Sequence, residues 1–313
     1  MRLMEPPRPA NGTVPGLPPP GNATRLRAAQ RAENFPVALR VLPVRYRRHL
    51  VAIYDVVRVI DDLGDEQVGA GATAEGRTAL LEDFAAGLAA VWTGTEPRAP
   101  VLRRLVPTVR ACALPREPFD RLIAANLQDQ RVGRYETWDE LLRYCELSAV
   151  PIGRLVLAVF GVAAPPGSVT ERESDAVCTA LQLLEHWQDV GEDRARGRTY
   201  VPVADMRAFG VPDSALDATS SSPALRRLMA YETDRAVALL DDGAALLGRL
   251  RGWALLAVAG YVAGGRAAAD GLRRTGHEVL AGSPGTRRSD VARHLLAGLR
   301  AGLRSSTAIR SNS

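Results

Sequence analysis

Asp61 and Asp65 stand four residues apart in YDVVRVIDDLGDE, a segment with helical periodicity, so both carboxylates share one face and can hold a divalent ion between them. A second acidic set, Glu185, Asp189, Glu192 and Asp193, lies far downstream in LQLLEHWQDVGEDRARGRTYVP. Read as one continuous helix, that spacing points all four along one side. Carboxylates so close repel by roughly 0.2–0.5 kcal/mol per exposed pair, unless solvated, paired with arginine or bound to cations. One such stretch alone reads as a solvated acidic face. Two of them, on separate helices facing one cleft, suit Mg²⁺, which takes oxygen ligands and bridges carboxylates to substrate phosphates. The pair is therefore a diphosphate-binding hypothesis. Arg58 and Tyr54 fall on the same helix face at successive turns before Asp61, and Gln182 two turns before Asp189. His186, a lone imidazole among carboxylates, reads as paired or solvated rather than as a metal ligand.

These motifs need long helices to carry them. Leu50, Ile53, Val57 and Ile60 recur at helical steps, predicting a helix from Val44 to Gly64. Further helices are expected over Arg77–Trp92 and Val101–Ala113, the latter kinked or short at Pro107. Pro115–Asp129 and Thr137–Phe160 follow, the second bent at Pro151. Thr170–Arg196 is the organising helix, capped by Thr170 and Glu173. Helices then run to about Arg251, over Trp253–Ala281 and over Asp290–Leu303, with a linker at Pro212–Pro223. A short helix from Thr24 to Ala32 and another capped by Asn34 precede them. No alternating run predicts a strand. The fold class is all-α. Residues 1–23, rich in proline, read as a disordered leader, 24–303 as one helical domain and 304–313 as a polar tail.

Composition narrows the function. All 40 basic residues among 313 are arginine, and the net charge is +5. That suits anionic partners, but the arginines are scattered rather than interleaved with aromatics, which argues against nucleic acid. Cys112, Cys145 and Cys178 have neither disulfide nor zinc spacing, consistent with a cytoplasmic protein. The longest apolar run, Trp253–Gly264, is too short to span a bilayer.

Five motifs in order, NFPVALRVLP, AIYDVVRVIDDLGDE, RYETWDELLRYCELSAVPIGRLVL, LQLLEHWQDVGED with GRTYVP, and YVAGGRAAADGLRRTGHEVL, resemble the squalene/phytoene synthase family over about Asn34–Leu280. The resemblance implies a single-domain isoprenoid synthase fold, a helical bundle around a central cavity. It also implies Mg²⁺ on Asp61, Asp65, Asp189 and Asp193, and a cavity lined by Phe35, Tyr54, Arg58, Tyr144, Gln182 and Tyr261. The NFPV opening and DDLGDE ending most resemble the hydroxysqualene synthase branch, whose members act on presqualene diphosphate. Where the family commonly has Asn, this chain has Glu185, which adds charge beside Asp189 and could accept a proton from water. The expected chemistry is therefore ionisation of presqualene diphosphate and capture of the cation by water, without NADPH. Alternatives are head-to-head condensation of farnesyl or geranylgeranyl diphosphates and, in another class, a non-catalytic helical assembly factor. A basic protein acting on a lipid diphosphate is also expected to touch the membrane peripherally.

Overall fold

The computed structural model describes residues 42–65 and 69–311, with residues 303–311 described by backbone alone. The leader, the two short helices expected before Leu42, and Phe35 lie outside the described residues. Helix α1, Val44–Asp65, buries Leu50, Ile53, Val56, Ile60 and Leu63 along one stripe, as the periodicity requires. After it come α2 (Ala74–Leu88), α3 (Ala90–Thr93), α4 (Pro100–Cys112) and α5 (Glu117–Asp129). Gly94, with φ of 80°, closes α3. Helix α4 continues through Pro107 as one helix of 13 residues, not the short element expected there. Leu102, Leu105 and Val109 bury the opposite face, while Pro107 is exposed, so water can satisfy the carbonyl it leaves unpaired.

The segment expected to bend at Pro151 is instead two helices, α6 (Trp138–Ser148) and α7 (Val150–Val159), joined at Ala149. Pro151 then sits in the first turn of α7, where its missing N–H is not needed. Helix α8, Val169–Gln188, is capped by Ser168, whose hydroxyl accepts from Glu171 N at 3.1 Å. The Glu171 carboxylate reaches back to Gly167 N, so the capping pair lies two residues before the Thr170 and Glu173 expected.

The organising helix also stops earlier than expected. Asp189, with φ −107° and ψ 15°, separates α8 from the short α9, Val190–Ala195. The break lets Gly191 N donate to Val279 O at 3.2 Å, and a Cβ at this position would press on the backbone of Val279 and Leu280 at 3.2–3.3 Å. Helices α10 (Val203–Ala208), α11 (Pro223–Gly243), α12 (Gly252–Arg274) and α13 (Arg288–Ser311) complete the order. The expected linker at Pro212–Pro223 contains a 3₁₀ turn, Asp213–Asp217, and another, Ala244–Gly248, replaces the end of the preceding helix. Helix α12 ends before the predicted Ala281 because Gly276 and His277 take left-handed φ values of 59° and 57°. Helix α13 continues past the predicted Leu303.

Cross-contacts fix the directions. His49 Nδ1 lies 2.9 Å from Thr108 Oγ1, and Arg104 pairs with Asp55 at 3.6 Å, so α1 and α4 are antiparallel. Tyr46 packs 5.0 Å from Phe160, bringing the start of α1 to the end of α7. Arg154 of α7 pairs with Asp175 and Glu171 of α8 at 3.0 and 3.2 Å, while Gly153 abuts Ser174 and Cys178. Gly265 abuts Leu181 and Leu184, and the chain after α12 reaches Gly191. Helices α1, α8 and α12 therefore point the same way. Asp61, Asp65 and Asp189 all stand at C-terminal ends, the negative poles of their helix dipoles. A carboxylate there is disfavoured by about 0.3–1 kcal/mol unless a cation compensates. Among the described residues, the sole β-pairing is an isolated bridge between Arg134 and Thr199. None of the described helices is long and apolar enough to cross a membrane.

Candidate active site

The last turns of α1 bring Asp61, Asp62 and Asp65 together, and each has a different partner. Asn126 Nδ2 donates to Asp61 Oδ1 at 3.3 Å. Gly64 makes this possible, since a Cβ at that position would collide with the Asn126 side chain. Burial pushes the Asp61 carboxyl up to about 6, with Asp65 and Asp62 adding to it and Asn126 and Arg58 opposing. Arg58 pairs at 3.0 Å with Asp62. Asp65 is exposed and accepts from Arg198 Nη2 at 3.0 Å. Arg198 belongs to the GRTYVP segment, so this ion pair joins the two acidic motifs across the site.

On the other side, Ser283 Oγ donates to Asp189 Oδ1 at 2.9 Å. Burial raises the Asp189 carboxyl and Asp193 reinforces the shift. Asp193 Oδ2 lies 3.9 Å from His186 Nδ1, and Gln182 Nε2 lies 3.2 Å from His186 Nε2. The imidazole is buried, and burial lowers its pKa against the pull of Asp193. It stacks on Tyr200 with centroids 3.6 Å apart, so His186 is paired and enclosed rather than solvated. Glu185, one turn before Asp189, is exposed.

Between the two sides lies a polar floor. Buried Tyr144 donates to Asp129 Oδ2 at 2.9 Å, while Asp129 Oδ1 is buried without a partner among the described residues. Asp129 is also pushed up to about 6, first by burial, with Asp65 and Asp61 adding to it while Arg198 and Tyr144 pull it down. Tyr200 packs 5.6 Å from Tyr144 and 5.9 Å from Tyr135. Backbone bonds from Thr199 N to Gly133 O (2.8 Å) and Val203 N to Tyr135 O (3.0 Å) align the two loops that carry these rings.

The structure thus gathers Arg58, Asp61 and Asp65 at the end of α1, ties Tyr144 to Asp129, Gln182 and Asp193 to His186 and Asp189 to Ser283, and joins the two acidic motifs through the Arg198–Asp65 pair. Tyr54 is half-buried on α1, and half-buried Tyr261 packs against the core formed by α1 and α4. The pairing roles of Asp129, Asn126, Arg198 and Tyr200 were not anticipated. Arg198 and Tyr200 lie inside a recognised motif, whereas nothing in the sequence distinguishes Asp129 from an ordinary helix-end carboxylate.

The sequence pattern of squalene/phytoene synthase matches residues 28–294. The chain belongs to that family. It is 35% identical over 237 residues to the hydroxysqualene synthase of Rhodopseudomonas palustris, covering 75% of this chain and 77% of that one. It is 32% identical to the phytoene synthase of Arthrospira platensis, covering 70% and 74%. The crystal structure of squalene synthase HpnC from Alicyclobacillus acidocaldarius superposes with a TM-score of 0.72 at 39% identity, covering 82% of this chain and 95% of that one. The fold is that of the isoprenoid synthases, and prenyl diphosphates are the substrates of this squalene/phytoene synthase family.

The donor set of this family member fits a hard divalent cation. Every candidate ligand is a carboxylate oxygen. Among the described residues, no three acidic, imidazole or thiol groups could enclose a metal by themselves. Pairs of carboxylates leave coordination positions for water and diphosphate, the arrangement Mg²⁺ accepts. The unpartnered Asp129 Oδ1 offers one more oxygen.

Two carboxyls raised to about 6 have a consequence for stability. In the unfolded chain both titrate near 4, so between about pH 4 and 6 the folded state binds more protons. Stability without divalent cations should therefore fall as pH rises through that window and stay lower above it. The expected loss is on the order of 1 kcal/mol per group after screening. Thermal unfolding in EDTA checks this: Asp129→Asn, which can still accept from Tyr144, should flatten the pH 4–6 slope. An unchanged slope would contradict the assignment.

Proposed function

We propose that this squalene/phytoene synthase family member is a hydroxysqualene synthase, converting presqualene diphosphate and water into hydroxysqualene and diphosphate. Support comes from its similarity to the Rhodopseudomonas protein of that name over three quarters of the chain. The site observation that carries the reading is Glu185, an exposed carboxylate one turn before Asp189. Its charge disfavours a second diphosphate and supplies a base for water.

Asp61 and Asp65 on one side, and Asp189 and Asp193 on the other, would hold Mg²⁺. When bound, Mg²⁺ supplies positive charge that neutralises the diphosphate leaving group. Arg58 and Arg198, already at the rim of the site through Asp62 and Asp65, present guanidinium groups to the phosphate oxygens. The substrate C–O bond breaks with its electron pair leaving on the diphosphate oxygen. Tyr144 and the Tyr200 ring face the resulting carbocation, while Tyr54, Gln182 and Tyr261 line the hydrocarbon space and exclude stray water. One water then forms the new C–O bond, and its proton passes to Glu185. Charge and atoms balance without a reductant.

The direct test incubates the pure protein with Mg²⁺ and, separately, presqualene, farnesyl and geranylgeranyl diphosphates, with and without NADPH, and identifies products by mass. Hydroxysqualene from presqualene diphosphate alone is expected. Efficient conversion of farnesyl diphosphate to a C30 product, or squalene formed only with NADPH, would install the second reading, a condensing synthase. The similarity to a phytoene synthase favours that alternative. Glu185→Asn should lower the hydroxylated product by roughly 10²-fold, the smaller end of the effect of a positioned base. Unchanged yield would remove Glu185 from the chemistry.

A further inference from the structure

The end of the bundle remote from the carboxylates has a charge pattern that the reaction does not use. Helix α1 opens with Val44, Arg45, Tyr46, Arg47 and Arg48, and no acidic residue follows before Asp55. Val44 is 65% exposed, and Arg45 and Arg48 are exposed. The antiparallel register sets the C-terminal end of α4 beside them, and exposed Arg110 belongs to an α4 that contains no carboxylate. Arg45, Arg47, Arg48 and Arg110 form no ion pair with a carboxylate among the described residues; Arg45 lies over the Tyr46 ring at 4.8 Å, and Arg48 Nε donates to His49 Nε2 at 3.3 Å. Glu171 and Glu173, in the N-terminal part of α8 at the same end, are both tied to arginines, Arg154 and Arg249. Val169 beside them is 42% exposed.

Helix stability does not account for this arrangement. The N-terminus of a helix is its positive pole, where three arginines are disfavoured and anions are welcomed. An external anionic surface reverses that penalty, and the exposed valines add an apolar edge. Direction supplies the third argument, which rests on the lipid-diphosphate reading above. Val44 lies about 26 Å along α1 from Asp61, at 1.5 Å per residue. On that reading, a lipid whose diphosphate sits at the carboxylates would extend its hydrocarbon along the bundle toward this end.

We propose that the N-terminal end of α1, with the C-terminal end of α4 beside it, is the face that docks on an anionic lipid bilayer. Basic groups near such a surface each contribute about fivefold in partitioning. The triple variant Arg45→Glu/Arg48→Glu/Arg110→Glu should therefore lose at least about 100-fold in binding to phosphatidylglycerol-containing vesicles, measured by co-sedimentation. The wild type should bind neutral phosphatidylcholine vesicles far more weakly, and high salt should release it from the anionic ones. A control of equal net charge, Arg131→Glu/Arg143→Glu/Arg227→Glu, reverses exposed arginines elsewhere and should stay within a few-fold of wild type. Both variants should keep wild-type circular dichroism and wild-type turnover of detergent-dispersed substrate. Equal losses in the two variants, undiminished binding by the first, or no wild-type binding would overturn the surface. Turnover of prenyl diphosphates without vesicle binding would sink this proposal alone. Arginine-dependent binding by a protein inert on every prenyl diphosphate would sink the enzymatic reading and leave the surface standing.

Discussion

Asp61→Asn and Asp189→Asn should each lower turnover by at least about 100-fold while leaving helicity and the unfolding midpoint near wild type. The amide keeps the size of the carboxylate and an oxygen acceptor for Asn126 or Ser283. What it removes is the negative charge that a cation requires. Because burial already disfavours the Asp61 carboxylate, the neutral amide relieves a penalty, so Asp61→Asn should be no less stable without Mg²⁺. Altering groups that merely orient metal ligands changes activity roughly 10–100-fold, so loss of a ligand should reach at least the upper end. Turnover within about threefold of wild type would remove these residues from metal binding. Inactivity accompanied by lost helicity would leave only a structural role.

Trp187→Ala should be the most damaging single substitution for stability, at about 3–5 kcal/mol. Trp187 is completely buried on α8, and its indole Nε1 donates to Glu232 O at 3.2 Å. Truncation leaves both a cavity and a buried carbonyl without its donor. Gln182, Glu185 and His186 share that helix and Asp189 ends it, so the loss should loosen both the fold and the site. Urea unfolding monitored by circular dichroism gives the measurement. Trp187→Phe, which keeps most of the volume, should lose less than half as much. A loss below about 1 kcal/mol for the alanine variant would contradict the packing described.

The helix carrying Asp61 and Asp65 was legible because Leu50, Ile53 and Ile60 repeat at helical spacing and fix which face is buried. The length of α8 was not. Its interruption at Asp189 is tied to a bond from Gly191 to Val279, and no local signal reveals a partner so distant in sequence. The same holds for Arg198, whose ion pair with Asp65 joins residues on separate elements. Asp129 gains its importance from the hydroxyl of Tyr144 and from burial, neither visible in composition or period. That α4 continues past Pro107 was hidden for a related reason: only the packed structure shows that the proline faces water. The carboxylate spacings and motif order carried the candidate site, whereas its network of partners depended on tertiary contacts.

With a cation at the carboxylates and a diphosphate in the cleft, as proposed, the Arg198–Asp65 pair would also couple the two sides of the site thermodynamically. A positive ion that takes Asp65 Oδ1 would compete with the guanidinium, and Arg198 would then become available to an anion in the cleft. An anion that engages Arg198 first exposes Asp65 in turn. Under that competition, occupancy of either position would lower the free energy of filling the other, and reciprocity would require the two affinities to rise by the same factor. A single ion pair at the rim would thus favour arrival of the cation and the diphosphate as a unit over either one alone.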